Sequence, residues 1–515
     1  MKSIYKYTLY FFALFIYNDG LGQPQVTWGN EFKDQKNFTD SRISAVTQNG
    51  YYIVNQDAVG LMKIFNPDYY ITYVDNRFQW ITSNQIPIDR QTDVDAHPDA
   101  IVINDVPYIF YKRINKKTKE CLYTAQEIHP KTLEFRDEAV DLATQPYDRM
   151  PLEGDYLSKI NNGHLAVLYT VEYAPVNAGK PAEYGVTVLD LNLNERWTRR
   201  IELPYKRKLI DIVQHNVYTD GSVRILTKVY RDKRREQRKG VPNWEYHFLV
   251  FKNDGQEFED YVLPMKDKFY TDLVYYYMPN GDIECTGFYS GRNAWDIKGV
   301  FSVIIGHENN EIKKEQFKPF SEDFVDQVLE ETDTKKEKTF FSYRIDERIK
   351  LPDGSTVFVT EQYHSFTLII QQEFGNKSAT DYYFNDIILL KMDAEGNLDW
   401  IKSIPKKQRV QRIYTPYCSY GLTRDANAMY FVFNDHPNNL NSASGKVKTM
   451  GNPKNAALVY VKVDYDGNVF PRKELLNAKD LGMMIRTNRN ATQGEASLIL
   501  RGEKGKKLQI GKVVF

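Results

Sequence analysis

The sequence predicts an all-β fold, an eight-bladed β-propeller closed on itself, with a seven-bladed ring plus a separate C-terminal hairpin as the alternative count. Three observations carry this. A turn pair followed by an apolar strand recurs eight times along the 515 residues. The 37 Tyr and 28 Phe against 10 Met favour pleated, half-buried surfaces over helices. The two ends of the chain, finally, read as complementary parts of one repeat.

The first four turns are TQNGYYIV with Gly50, INDVPYIF with Asp105, INNGHLAV with Gly163 and YTDGSVRI with Gly221. The next four are MPNGDIEC with Gly281, LPDGSTVF with Gly354, RDANAMYF with Asn427 and TQGEASLIL with Gly494. Asn-Gly and Asp-Gly suit two-residue hairpin turns, whose central positions both take positive φ. Successive steps are 55, 58, 58, 60, 73, 73 and 67 residues, a mean of about 63. Residues 23–515 divided into eight give about 62 per unit, so the two values agree. A unit of that size holding several strands is a four-stranded blade. Length alone suggests three or four domains of about 150 residues; the repeat makes residues 23–515 one domain.

The later half of the unit repeats as well. VLDLNLNERWTRRI and LLKMDAEGNLDWIKSI both place Asp seven residues before Trp, as Asp190/Trp197 and Asp393/Trp400, with Ile four beyond. Looser copies carry Trp80, Phe258 and Phe470. Each reads as a third strand, a tight turn and a fourth strand whose aromatic packs on the next blade. This unit resembles the tryptophan-docking repeat of eight-bladed propellers, a group that includes pyrroloquinoline-quinone alcohol dehydrogenases and the propeller scaffold of the outer-membrane protein assembly machinery. The resemblance implies a scaffold. The adjacent cysteine pair over the quinone of those dehydrogenases has no counterpart here, and no cofactor is expected.

After the eighth turn, SLILRG and KKLQIGKVVF supply two strands without a fourth, aromatic one. Gln25 to Phe32 (QVTWGNEF) carry Trp28 in the missing context. The N-terminal strand is therefore expected to complete the last blade, which leaves no long open edge.

Residues 1–22 read as a secretory signal. Lys2 and Lys6 precede the apolar run Thr8–Tyr17, and Gly20, Leu21 and Gly22 offer a cleavage site. Ten apolar residues are too few to span a bilayer. The expected location is outside the cytoplasm, in a periplasm or at the cell surface. Cys121, Cys285 and Cys418 show no metal-binding spacing and are expected as small buried side chains, although the sequence leaves a pairing open.

With 68 basic and 68 acidic residues, bulk charge argues against a nucleic-acid partner. Charge is nevertheless uneven on the long second-to-third-strand and blade-to-blade loops, for which Val171–Gly185, Arg231–Trp244, Ser365–Asp386 and Asn434–Asn455 are the candidates. Arg231, Arg234, Arg235 and Arg238, with Trp244 behind them, form one basic cluster in RDKRREQRKG, residues 231–240. Lys116 and Lys117 lie in a second, KRINKKTKE, and Lys446, Lys448 and Lys454 in a third. Such clusters read first as solvated loops; because arginine forks match carboxylates and phosphates, an acidic glycan, a lipid head group or an acidic cell-envelope protein is the partner they could dock. Asp93, Asp95, His97 and Asp99 alternate along TDVDAHPDA and would share one side of an extended chain. They lack the Gly and Glu of a calcium loop, so no metal site is assigned.

The eight histidines form no Ser/His/Asp or H-x-x-x-H constellation. One helical insertion, about residues 320–338, breaks the β pattern: SEDFVDQVLEE puts Phe324, Val325, Val328 and Leu329 on one stripe behind Ser321 as N-cap. The expectation is a non-catalytic binding or scaffolding module, a monomer or one member of a complex. The alternative is a carbohydrate-active hydrolase or lyase with its site at the channel mouth.

Overall fold

The computed structural model describes residues 23–33, 40–57, 67–87, 98–136, 138–147, 156–161, 163–170, 179–265, 268–291, 297–331, 342–372, 375–441, 447–487, 495–505 and 507–515. The signal-like residues 1–22, Asp93, Asp95, His97, the turn at Gly494, Lys446 and the linker at 332–338 lie outside these.

The chain is an eight-bladed β-propeller. Each blade is an antiparallel meander whose strands A to D follow in sequence. Blade 1 runs Asp40–Val46, Gly50–Asp57, Asp68–Asp75, Trp80–Gln85, and blade 2 Asp99–Ile103, Val106–Asn115, Glu120–Glu127, Val140–Pro146. Blade 3 is Tyr156–Asn161, His164–Thr170, Pro181–Asp190, Glu195–Lys206, and blade 4 is Ile210–Val217, Val223–Tyr230, Trp244–Lys252, Glu257–Leu263. Blade 5 is Phe269–Tyr277, Ile283–Ser290, Gly299–Ile305, Ile312–Pro319, and blade 6 is Tyr343–Lys350, Thr356–Gln372, Gly375–Met392, Leu398–Ile404. Blade 7 is Gly421–Arg424, Ala428–Asp435, Ala457–Asp464, Lys473–Asn477. Blade 8 takes Met484–Arg486, Ser497–Lys504 and Lys507–Val514 from the C-terminus and Gln25–Trp28 from the N-terminus as its strand D. The expected closure is present: Gln25 pairs with Val514 and Trp28 with Gly511.

Strands A touch one another between blades 1 and 2 and along blades 3 to 6, the inner edges of the sheets. Polar side chains staple them. The Gln214 amide of blade 4 donates to Tyr275 O at 2.9 Å and accepts from Tyr275 N–H at 3.0 Å. The Asp272 carboxylate of blade 5 accepts from Ile345 N–H of blade 6 at 2.7 Å. Arg486 of blade 8 reaches Ser41 O of blade 1 at 3.1 Å. Strand A carries a bulge beside several of these contacts, at Ile212/Gln214, Tyr270/Asp272 and Ile345/Glu347, which re-aims the side chain toward the neighbour. Between the sheets lie apolar layers, such as Leu226, Trp244 and Phe248 of blade 4 against Phe269, Tyr275 and Phe301 of blade 5.

The turn chemistry differs from the sequence reading in one respect. In blades 4, 5 and 6 the A–B connection is a three-residue loop: Tyr218 N–H donates to Ser222 O, and Gly221 N–H to Tyr218 O. Only the glycine is left-handed there, with Gly221 at φ 85°. This is a type I turn with a bulge, the next most common hairpin connection. Blade 2 does use the two-residue form, with Asn104 and Asp105 at φ 50° and 64°. The C–D turns explain the repeated aspartate. Asp190 Oδ1 accepts from Asn192 and Asn194 N–H at 2.8 and 2.9 Å. Asp393 and Asp464 cap their turns in the same way through Asn397 and Asn468.

Trp197 and Trp400 dock on the next blade as expected. Trp197 lies against Gly255 and stacks on Phe251 at 6.1 Å, and Trp400 covers Gly467. The looser copies do not repeat this. Phe258 packs on Phe251 of its own blade at 5.2 Å, Phe470 is 40% exposed, and Trp80 meets Phe32 of the closing segment at 4.3 Å. Their turns lack the full Asp-to-Trp spacing that carries the ring onto its neighbour.

The insertion is a helix, Glu322–Glu331, with Ser321 Oγ accepting from Phe324 N–H at 3.3 Å. Phe324 buries against Phe320 and Tyr343 between blades 5 and 6. Ser365–Asp386, expected as a loop, is instead the outer part of a long hairpin paired from Thr356↔Met392 to Gln372↔Gly375. Its β-branched run TLII extends the ladder rather than ending it. All three cysteines are free and buried.

Candidate functional site

A–B and C–D turns share one face of the ring, while B–C loops and blade-to-blade connections share the other. Two depressions lie on the A–B face, where successive turns converge on the channel. One, of 490 Å³, is walled by Tyr218, Tyr276, Tyr277, Glu284, Arg348 and Lys350. The other, of 730 Å³, adds Glu347, Arg424, Asp425, Tyr465 and Glu495. They share Arg348 and Lys350, so they form one groove across blades 4 to 8.

Strand alternation builds its wall. Arg348 projects from strand A of blade 6 to Glu284 on strand B of blade 5, at 2.6 Å. Its guanidinium lies 4.3 Å from the Tyr276 ring centroid, which holds it flat against the wall. Tyr218 and Tyr277, ending strands A of blades 4 and 5, pack at 4.4 Å, and His307 flanks Tyr218 at 5.4 Å. Lys350 is exposed, and its ammonium donates to Gly354 O at 2.6 Å. Burial pushes the Tyr276 and Tyr277 phenols up to about 12, so both stay neutral donors. The Glu347 carboxyl is raised by desolvation and by neighbouring Asp346. Burial also lowers the His307 pKa, assisted by Arg224. The groove thus offers aromatic rings, neutral hydroxyls, an ion-paired fork, an exposed ammonium held by its own A–B turn and several carboxylates.

Of the residues singled out in the sequence, those that are described sit toward the opposite face, and the charges of the four arginines are matched locally. Arg231 pairs with Glu245 at 2.8 Å, Arg234 with Asp211 at 2.6 Å, and Arg235 and Arg238 with Asp232 at 2.6 and 3.3 Å. Trp244 is 1% exposed; its Nε1–H donates to Glu236 at 2.9 Å while Lys228 stands over its ring at 4.2 Å. The structure therefore gathers the four arginines but makes Trp244 a core anchor beneath them. Lys116 and Lys117 are exposed in a tight B–C turn whose N–H groups are capped by Asn115. Asp99 begins strand A of blade 2, 3.5 Å from Arg42. Lys448 and Lys454 lie in the blade-7 B–C connection, Lys448 N–H donating to Asn439 at 2.7 Å. Among the described residues no group of three or more His, Cys, Asp or Glu is placed to hold a metal.

Sequence reasoning missed the groove residues because they come from several blades and meet only when those blades pack. The signal was the repeat phase: Tyr218, Met278 and Leu351 each stand three residues before a turn glycine.

No family model matches the chain, and no curated protein matches it. Solved structures similar to it include the WD40 domain of SCAP from fission yeast, 8% identical, covering 96% of this chain and 98% of that one at a TM-score of 0.39. A protein of unknown function from Bacteroides caccae is 12% identical over 65% of this chain and 90% of that one, at 0.27. The acylaminoacyl peptidase of Pyrococcus horikoshii is 12% identical over 91% and 59%, at 0.37. At these values the fold assignment rests on the strand order itself.

Proposed function

We propose that this protein is an exported, non-catalytic binding module of the cell envelope whose rigid ring presents the A–B groove to a glycan. The observation that carries the reading is the groove wall, where Tyr218, Tyr276 and Tyr277 alternate with the Arg348–Glu284 pair and Lys350. Aromatic faces match the apolar faces of sugar rings, and neutral phenols with forked donors and acceptors match their hydroxyls. The leader-like residues 1–22 support export, and among the described residues no helix is long and apolar enough to cross a membrane. Isothermal titration of the full chain against soluble xylan, polygalacturonate and peptidoglycan fragments tests this. Saturable binding lost in Lys350→Ala and Tyr218→Ala is expected; no heat with any probe removes the reading.

One observation favours a second reading, a glycan-cleaving enzyme. Glu347 has a raised pKa and shares the groove with Asp425 and Glu495, a setting that suits a general acid. Release of reducing ends from the same polysaccharides, abolished by Glu347→Gln, would replace binding with catalysis.

A further inference from the structure

Arg224 is the second residue of strand B in blade 4, opposite Asn216 of strand A and Val250 of strand C. Alternation puts it on the same side of the strand as Leu226, which packs toward blade 5. Its guanidinium lies 5.4 Å from the Phe248 ring centroid and beside the Tyr277 phenol. Asn216 and Tyr277 both line the 490 Å³ depression, whereas Arg224 is 1% exposed. A cation is thus buried directly behind the groove wall.

The protein uses few of its donors. Nη1 has a 3.4 Å contact with Asn310 Oδ1, from the C–D turn of blade 5. Nε and Nη2 meet no acceptor among the described residues. These two N–H groups leave the same edge of the guanidinium plane, so they present one fork. The surrounding carboxylates are committed elsewhere. Glu259 accepts from Asn310 Nδ2 at 2.9 Å and pairs with Lys252 at 3.2 Å. Asp282 pairs with Lys313 at 2.8 Å, and Asp220, exposed in the A–B turn, accepts from Ser222 N–H at 2.8 Å. Burial and Arg224 itself favour the uncharged form of His307.

A buried charge without a counter-charge is strongly unfavourable, and arginine, unlike lysine, cannot shed its proton to escape it. We propose that the Nε/Nη2 fork of Arg224 binds one small monovalent anion, of chloride or bromide size, behind the groove wall. Two parallel N–H donors on one acceptor is the arrangement arginine makes with anions, and the Tyr277 hydroxyl beside the guanidinium is a further donor. At its exposure the fork lies out of reach of a polymer in the groove, so the occupant is a free, compact ion. The inference goes beyond the glycan reading and stands without it.

Melting of the full chain in sodium chloride, sodium bromide and sodium gluconate at equal ionic strength tests the site. An ion that binds only the folded state raises the melting temperature as its concentration rises. Chloride and bromide are expected to do so relative to gluconate, which is too large for the site. Arg224→Met keeps a chain against Phe248, removes the fork and is expected to lose this halide increment, while general salt effects remain common to both proteins. Crystals of the wild type soaked in bromide give a second readout, with anomalous density expected against Nε and Nη2 of Arg224. Where Arg224→Met does not fold, that density decides alone. A halide increment absent from the wild type, or undiminished in Arg224→Met, overturns the proposal. Bromide-soaked crystals without density at the fork overturn it as well.

Discussion

The indole N–H of Trp197 donates to Gly221 O at 3.1 Å, joining the outer strand of blade 3 to the A–B turn of blade 4. The same ring lies over Gly255 in the C–D turn of blade 4, where an added Cβ would stand 2.7 Å from Trp197 Cε3. Gly255 also has φ 73°, so both its space and its backbone exclude a side chain. Trp197→Ala is expected to cost about 3–5 kcal/mol, the range for truncating a buried Trp. Gly255→Ala should cost more than 1 kcal/mol from the left-handed backbone and the clash together. Urea denaturation measures both, and a Gly255→Ala protein as stable as the wild type would refute the docking account.

Ring closure depends on a few N-terminal residues. Gln25–Trp28 and Phe32–Lys33 pair with the last strand of the chain, and Trp28 lies against Gly511. Deleting residues 23–33 strips blade 8 of its outer strand and opens an edge. The truncated chain should lose its cooperative thermal transition or aggregate, as followed by circular dichroism and light scattering.

Between blades 6 and 7, Lys406 and Glu361 form an ion pair at 2.8 Å with neither side chain exposed. Ser419 Oγ donates to the same carboxylate at 2.7 Å, and the ammonium also donates to Phe384 O at 2.8 Å. Removing one partner strands a buried charge. Lys406→Met should therefore cost about 3–5 kcal/mol. The double change Lys406→Met with Glu361→Leu should recover part of that loss in equilibrium unfolding.

Asp272 links stability to pH. Burial raises its carboxyl from 3.8 to about 6, although the Ile345 and Leu273 N–H groups pull it down. Between those values the folded protein holds a proton that the unfolded chain has released. This contribution is complete below pH 4, falls as pH rises toward 6 and is absent above. Asp272→Asn keeps an acceptor for Ile345 N–H and removes the titration. The wild type should lose of the order of 1–3 kcal/mol relative to this variant between pH 4 and 7.

Cys121, Cys285 and Cys418 sit at 0% exposure, and burial pushes the Cys418 thiol up to about 12. Native protein should react with a thiol-specific disulfide reagent only at its rate of unfolding, and all three thiols should titrate at once in denaturant.

Much of the ring was legible because propeller blades write their turns into the chain. Gly221, Gly281 and Gly354 mark A–B turns at constant phase, and Asp190 and Asp393 mark C–D turns through caps that need a carboxylate at that position. Trp28 announced the closing strand. The blade-6 hairpin was missed because Ser365–Asp386 stands outside the eight-fold turn repeat, and its Gly375-Asn376 pair falls between strands B and C, where the repeat leads one to expect a loop. The basic cluster at Arg231–Arg238 was visible as charge, but its neutralisation was not, since Asp211 and Glu245 arrive from neighbouring strands. The groove was illegible for the same reason. Glu284 and Arg348 are 64 residues apart in sequence and meet only when blades 5 and 6 pack.

The central claim, that ligand binding belongs to the A–B face, is tested most directly by comparing variants of the two faces in one titration. Polygalacturonate and xylan would be titrated into the wild type, Tyr218→Ala and Lys350→Ala on the groove side, and Arg238→Ala and Lys116→Ala on the other. The account predicts that the groove variants weaken binding at least tenfold, about 1.4 kcal/mol, while the loop variants bind as the wild type does. Loss of binding in the loop variants with the groove variants unaffected would contradict it.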